Sequence, residues 1–474
     1  LSANRGGPAQ QSSDESDGVP RGWFASAGAQ APLDGPIKIL DVEISEEIAD
    51  VALGPSADGS PYVAAQLLVR LHGSPLGIAM IRVPDTGAAG ARGSANELTL
   101  ASSTVSGAIW TELRPVIERH MIDDGAPSPD ELSPAALSAG PQPPCTWRSR
   151  LGSRRPAATI CIATCGRDLP TLFTTIRSAL GQTYDNTRVL VIDNRPFTST
   201  VKARLGEEFP DESRLRYTVE PVMGLAAVRN RSMEEADTEC LALTDEDVTL
   251  DPDWLGWLVA GFDRPEVACV TGLILPSELE SRSQQLIEEF GGFSKGFARR
   301  RWDLSENRLD HPVYPYLLGV YGSGANAAWR RSALKQIGGY DELLGTGTRA
   351  RGGEDLDIYL SCVRAGMQIV YEPGAVVRHA HRQDSDLLRK QVFDYGVGLG
   401  AVLMKRFLQR EERKEMLSRL RPGLRYLLQS NSPKNAGKRP GFPKRLTFAE
   451  RMGILYGPFA YLDSRRIGPR KQSG

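Results

Sequence analysis

CLALTDEDVTLDPDWL, residues 240–255, reads as an apolar strand, Cys240–Leu243, that delivers the carboxylates of Asp245 and Asp247 to a loop ahead of a helix bearing Trp254. Two acids one residue apart at a strand end can hold a hard divalent cation, and that cation can bridge a diphosphate. The same letters also fit a solvated acidic turn capping the next helix at Asp251–Asp253. The stretch does not fix its own chemistry, so the segments around it have to.

Upstream, AATICIA (157–163) is strand-like, and a helix with Leu169, Leu172, Ile176 and Leu180 on one stripe follows it. RVLVIDN (188–194) is an apolar run ending in polar residues, as a buried parallel strand does. A second helix (Val201–Phe209), LRYTVEP (215–221) and the helical GLAAVRNRSMEEA (224–236) lead back to the opening stretch. Strands alternating with helices predict a doubly wound, mostly parallel α/β sheet, with ligands at the carboxyl ends of its strands. Three polar clusters fall at such ends: Thr164–Asp168, Asp193–Asn194 and Asp245-Glu246-Asp247.

Downstream, RGGEDLDIYLSCVRAGMQIVYEPGAVVRHAHR occupies residues 351–382. Gly352 and Gly353 free the backbone ahead of a helix whose first turn holds Glu354 and Asp355 and whose apolar face is Leu356, Tyr359, Leu360 and Val363. Acids there are favoured by the helix dipole, which fits simple capping and also a general base kept ionised at neutral pH. His379 and His381 alternate beyond the next strand and point the same way if that strand continues. They are ordinary surface or hydrogen-bonding residues unless the acids at 245–247 recruit one as a ligand.

These blocks, with GSGANAAWRRSALKQIGGYDE (322–342), resemble in their order the family 2 glycosyltransferases of GT-A (Rossmann-like) fold. The resemblance implies transfer of a sugar from a nucleotide-diphosphate donor with inversion at the anomeric carbon, and a divalent metal, Mn²⁺ or Mg²⁺. By position it implies Thr164, Arg167 and Asp193 at the base and ribose, Arg229 on the nucleotide, and Asp245 on the ribose or metal side. It further implies Asp247 and His379 as metal ligands and Glu354–Asp355 as the acidic pair whose aspartate is the base. His381 competes with His379 in this assignment. Asn326, Trp329 and Asp341 match an acceptor-side segment, although packing explains them as well. Two rivals are a nucleotidyltransferase and an inactive transferase-like module that binds sugar or polymer. The GLAAVRN and GGED blocks speak against the first, and retention of both acid sets against the second.

At 474 residues the chain exceeds one ordinary domain. The expected organisation is a disordered arm (1–35), a small α+β domain (36–124), a Pro-rich linker (125–155), the catalytic domain (156–386) and a basic, amphipathic helical region (387–474). Within the second of these, PIKILDVEIS (36–45) and a hairpin around HGSP (72–75) precede a helix that carries Ile109, Leu113, Ile117 and Met121 on one face. The net charge of −1 hides an asymmetry, because residues 387–474 hold 20 Lys and Arg against 6 Asp and Glu. Such a tail suits an anionic membrane surface or docking on its own acidic body, and nucleic acid is not expected as a partner. Acceptors left open are a glycan, a lipid-linked or a small-molecule hydroxyl; the oligomeric state is not legible. No apolar run reaches the roughly 18–20 residues of a membrane span, and no signal pattern opens the chain, so a cytoplasmic protein, with or without peripheral membrane contact, is expected. Cys145, Cys161, Cys165, Cys240, Cys269 and Cys362 form no CxxC pair and read as buried free thiols rather than disulfides or zinc ligands.

Overall fold

The computed structural model describes residues 33–470 except 34, 84–97, 141, 196, 198–199, 431, 436 and 440; the expected arm lies almost wholly outside them. The chain begins with β1 (Ile37–Glu43), β2 (Val51–Ala52), β3 (Ala64–Leu71), β4 (Ser74–Arg82) and β5 (Thr99–Leu100). β3 lies between β1, its parallel partner, and β4, its hairpin partner. The helix Ser102–Asp123 buries Val105, Ile109, Leu113, Ile117 and Met121. Leu100, just ahead of this helix, belongs to β5, which pairs with β2.

The central sheet is built from β6 (Ala158–Thr164), β7 (Thr187–Asp193), β8 (Leu215–Val219), β9 (Cys240–Thr244), β10 (Val248–Leu250), β11 (Val267–Pro276), β12 (Arg300–Trp302), β13 (Ala327–Arg330) and β14 (Gln368–His379). Its order is β10-β14-β11-β13-β9-β6-β7-β8, with β12 added on β14. β9, β6, β7 and β8 are mutually parallel, whereas β13 runs antiparallel to both β9 and β11. β11 is buried throughout and β14 nearly so, and β11 accordingly reads as an almost continuous apolar run rather than an alternating one. Two registers place the site. Thr164 lies opposite Asp193, and Val248 opposite His379, so the acidic loop between β9 and β10 comes to the end of β14.

The connection 125–155 lies against both units. Leu137 joins the apolar core of the amino-terminal unit, while Trp147 lies on Gly256, where a Cβ would come within 2.5 Å of the indole. The Trp147 indole also donates to Asp253 Oδ1 at 2.9 Å, and Arg70 pairs with Asp251 Oδ2 at 2.6 Å. Asp253 makes no side-chain cap on the helix Trp254–Gly261, contrary to the capping alternative for this turn. The acids at 251 and 253 instead tie the amino-terminal region to the sheet.

The carboxy-terminal helices pack on the catalytic core. Ser385–Leu408 and Lys444–Ile467 lie side by side through Gly396, Gly400, Gly453 and Gly457, each so close that a Cβ would sit 2.2–2.4 Å from a carbonyl oxygen of the other helix. Arg406 is buried and donates to both the Asp357 carboxylate and its carbonyl, and Lys405 Nζ lies 2.7 Å from Asp357 Oδ2. The outer face of Lys444–Ile467 exposes Phe448, Met452, Leu455, Phe459 and Leu462 at helical spacing. Among the described residues no helix is long and apolar enough to cross a membrane.

Candidate active site

The site forms where β6, β7 and β9 end. Thr164 is buried and its hydroxyl donates to the Glu246 carboxylate, which also accepts from the Cys165 amide at 3.3 Å. Glu246, between the two expected metal acids, therefore clasps the first strand to the acidic loop. Asp193 is fully buried, its oxygens accepting from the Arg195 amide at 2.8 Å and the Tyr217 hydroxyl at 2.9 Å. Arg167 is exposed beside this edge. Asn194 donates to the carbonyls of Glu220 and Val222 and accepts from the Gly224 amide at 2.9 Å, which ties the loops after β7 and β8 together.

Asp245, Asp247 and His379 converge, with one potential ligand atom from each within 4.8 Å of the others. His379 Nδ1 faces the Ala380 carbonyl at 3.0 Å, and Nε2 lies 3.6 Å from Asp247 Oδ1. A proton on Nδ1 leaves the Nε2 lone pair directed at the acids, the usual arrangement for a metal-binding imidazole. His381 does not join them. The strand ends at His379, and His381 Nε2 is committed to Glu288 Oε1 at 2.7 Å in the interior. The two rings lie 5.9 Å apart, both against Phe293, but only His379 turns a nitrogen toward the acids. Burial pushes the Asp245 carboxyl above its ordinary value; Arg229 opposes that shift and the like charge of Asp247 adds to it.

Arg229 is buried and reaches Glu354 Oε1 at 3.0 Å and Asp245 Oδ1 at 3.7 Å, with its guanidinium 5.5 Å from the Tyr340 ring centre. Its charge is thus paired inside the protein, with Glu354 and Asp245. Glu354 is likewise buried, and burial pushes its carboxyl up to about 7 against the pull of Arg229. This pair reads as the support of the site. Asp355 is only partly buried, and its Oδ2 accepts from the Gly324 amide at 3.1 Å. Gly324 has to be glycine, since a Cβ would fall 2.4 Å from Arg229.

Gly353 adopts φ +91° ahead of the helix Glu354–Arg364, and a Cβ there would lie 2.7 Å from the Gly398 carbonyl oxygen. The turn ahead of Glu354 is therefore pressed backbone to backbone on the carboxy-terminal helix Ser385–Leu408. That helix also brings Tyr395 against Phe293, whose ring stacks on His379 at 5.5 Å. Lys295, beside Phe293, is under the influence of Glu288 and Asp355, and burial pushes its amine down to about 8. Phe293, Lys295 and Tyr395 escaped the sequence reading because no motif marks them. Asn326 and Trp329 are fully buried structural residues, Asn326 linking Trp254 to the carbonyls of Leu273 and Ala375. Asp341 is held by Lys405 at 2.8 Å.

A mixed sheet with a four-stranded parallel half, acids at its carboxyl edge and an acidic helix start facing them make up a GT-A fold. Residues 159–338, under half of the chain, match the family described as Glycosyl transferase family 2. Over 174 residues it is 31% identical to the pre-mycofactocin glycosyltransferase of Mycobacterium tuberculosis, covering 36% of this chain and 33% of that protein. It is 24% identical over 218 residues to the glucosyl-dolichyl phosphate glucuronosyltransferase of Haloferax volcanii, covering 43% of this chain and 63% of the relative. The matched region is thus about a third of the first relative's length and under two thirds of the second's. The mannosyltransferase of Pyrobaculum calidifontis, solved with GDP-Man and Mn²⁺, is 18% identical and covers 67% of this chain and 77% of its own, with a TM-score of 0.39. That likeness is too loose to carry residue roles.

Proposed function

We propose that this protein is a metal-dependent, inverting glycosyltransferase that moves a sugar from a nucleotide-diphosphate donor to an acceptor hydroxyl. The observation that carries the reading is the meeting of Asp245, Asp247 and His379 at the sheet edge of a family 2 domain. Two carboxylates and an imidazole with its lone pair turned toward them suit Mn²⁺ or Mg²⁺. Held there, the ion supplies positive charge where the diphosphate leaves.

The remaining roles fall to the chain's own side chains. Thr164, Arg167 and Asp193 border the donor's base and ribose. Arg229 acts from beneath, holding Glu354 and Asp245 in place and lowering the electrostatic cost of gathering four carboxylates. Asp355 takes the proton from the acceptor hydroxyl as it attacks the face opposite the leaving diphosphate, and one displacement inverts the configuration. Phe293 and Tyr395 offer the flat apolar surface on which an acceptor ring or chain can rest.

A lipid-linked acceptor suits the apolar stripe from Phe448 to Leu462 with the basic residues around it, as an interfacial helix would present them. Peripheral binding is checked by sedimentation with vesicles containing anionic lipid, where retention in the supernatant contradicts it. The activity itself is tested by supplying a panel of nucleotide sugars with Mn²⁺ and measuring nucleoside diphosphate release. Release that depends on the metal and disappears in Asp247→Ala and Asp355→Asn supports the reading; the absence of nucleotide binding with any divalent ion contradicts it.

A further inference from the structure

A second group of ligand-type side chains lies far in sequence from the acidic loop. His72, His120, Asp124 and Cys145 present one potential ligand atom each, all within 4.8 Å of one another. They come from three separate places: the β3–β4 turn, the end of the helix Ser102–Asp123, and the connection just before Trp147. Individual separations are 3.1 Å (His72 Nδ1 to Asp124 Oδ2), 3.4 Å (His120 Nε2 to Asp124 Oδ2) and 3.6 Å (Cys145 Sγ to His72 Nδ1). Tetrahedral zinc, with bonds of about 2.0–2.3 Å, sets its ligand atoms roughly 3.3–3.7 Å apart. Two of these three separations fall within that range and the third lies just below it.

The hydrogen bonding points the same way. His72 Nε2 lies 2.8 Å from the Leu137 carbonyl, which can only accept, so Nε2 carries a proton. In neutral histidine Nδ1 is then a bare lone pair, aimed at a carboxylate oxygen that is also an acceptor. A cation between them resolves the conflict and reproduces the arrangement in which a metal-bound imidazole donates its other N–H to a backbone carbonyl. His120 Nε2 supplies an independent sign: it is buried and has no hydrogen-bond partner among the described residues.

The backbone holds His72 in place at a cost. His72 has φ +55° and Gly73 φ +78°, and both amides donate to the Glu43 carboxylate, at 3.0 and 2.8 Å. A non-glycine residue in the left-handed region persists where its surroundings dictate it.

We propose that His72, His120, Asp124 and Cys145 form a structural zinc site that fastens the amino-terminal hairpin and helix to the connection leading into the catalytic domain. One thiolate, two imidazoles and one carboxylate fill a tetrahedron and leave no open position, so the site is closed to substrate. Binding releases the Cys145 thiol proton to solvent. The mixture of sulfur and nitrogen favours zinc over the magnesium or manganese suited to the acidic loop.

The test uses the full chain. Grown with zinc and dialysed, it should retain one zinc per chain by mass spectrometry, as should Asp247→Asn. Co²⁺ added to metal-stripped protein should give the intense thiolate-to-cobalt charge-transfer band of a tetrahedral site, and that band should vanish in Cys145→Ser while surviving in Cys165→Ser. The Co²⁺ spectrum of the unaltered chain stands even if a variant fails to fold. Zinc below a tenth of an equivalent with no thiolate band would overturn the proposal and leave a His72–Asp124 ion pair; a band that persists in Cys145→Ser would overturn it too.

Discussion

Two clusters of histidine and aspartate in this chain invite opposite uses. At the sheet edge, Asp245 and Asp247 keep 29% and 30% of their side-chain surface open, and no sulfur lies among the potential ligands. In the amino-terminal unit, His72 and Asp124 keep 6% and 4%, His120 keeps 15%, and a cysteine completes the set. An open, oxygen-rich corner suits an ion that comes with a diphosphate and leaves with it. A closed corner with sulfur suits an ion that stays. Similar residue types thus serve turnover in one place and architecture in the other, and access decides which.

The comparison can be broken most sharply through Asp355, which has no counterpart in the amino-terminal cluster. Asp355→Asn should cut sugar transfer by about 10²–10⁴-fold, the usual contribution of a general base, while donor binding by calorimetry and zinc content stay unchanged. Loss of donor binding in this variant would mean that Asp355 does not act as the base.

Asp247→Ala should remove the stimulation by Mn²⁺, a loss of at least about a hundredfold if the ion supplies several kcal/mol of charge stabilisation. The melting temperature should hardly move. Cys145→Ser should do the reverse, lowering the melting temperature and the zinc content while the purified folded fraction keeps most of its activity.

The two histidines after β14 sharpen the same contrast within one strand end. His379→Gln should raise the Mn²⁺ concentration for half-maximal activity by about tenfold or more, at little cost in stability. His381→Gln should leave the metal requirement alone and destabilise the fold by about 1–3 kcal/mol, because Glu288 loses its buried partner. Chemical denaturation and metal titration separate the two.

Smaller still is the effect expected at the helix pair behind the site. Gly400→Ala places a methyl 2.3 Å from the Ile454 carbonyl oxygen and should cost about 1–3 kcal/mol of stability by overpacking. Activity per folded molecule should fall only as far as the Gly353 loop shifts with the helix. A variant as stable as the parent would show that the two helices do not hold this contact in solution.

The sheet could be read from the sequence because its strands are either amphipathic or continuously apolar and end in polar residues. AATICIA, RVLVIDN and CLALT each fall within a residue or two of β6, β7 and β9. The metal corner was half legible. Asp245 and Asp247 stand out by spacing, but choosing His379 over His381 depends on where β14 stops pairing with β10, and neighbouring letters do not encode that. The pairing of Arg229 was not legible, because a lone basic residue on a helix gives no sign that Glu354, 125 positions away, will meet it. The amino-terminal cluster was invisible for the same reason. Its cysteine has no CxxC partner, its histidines are 48 positions apart, and only the helix packing brings them to one point. The paired glycines at 396, 400, 453 and 457 were present in the sequence, but their purpose emerges only when two backbones touch.

The most direct test of the central claim is a donor-hydrolysis titration with Mn²⁺ across a panel of nucleotide sugars. The account predicts that at least one donor releases nucleoside diphosphate in proportion to bound metal, and that Asp247→Ala abolishes the release while retaining its zinc. Release that is indifferent to Mn²⁺ and survives in Asp247→Ala would contradict it.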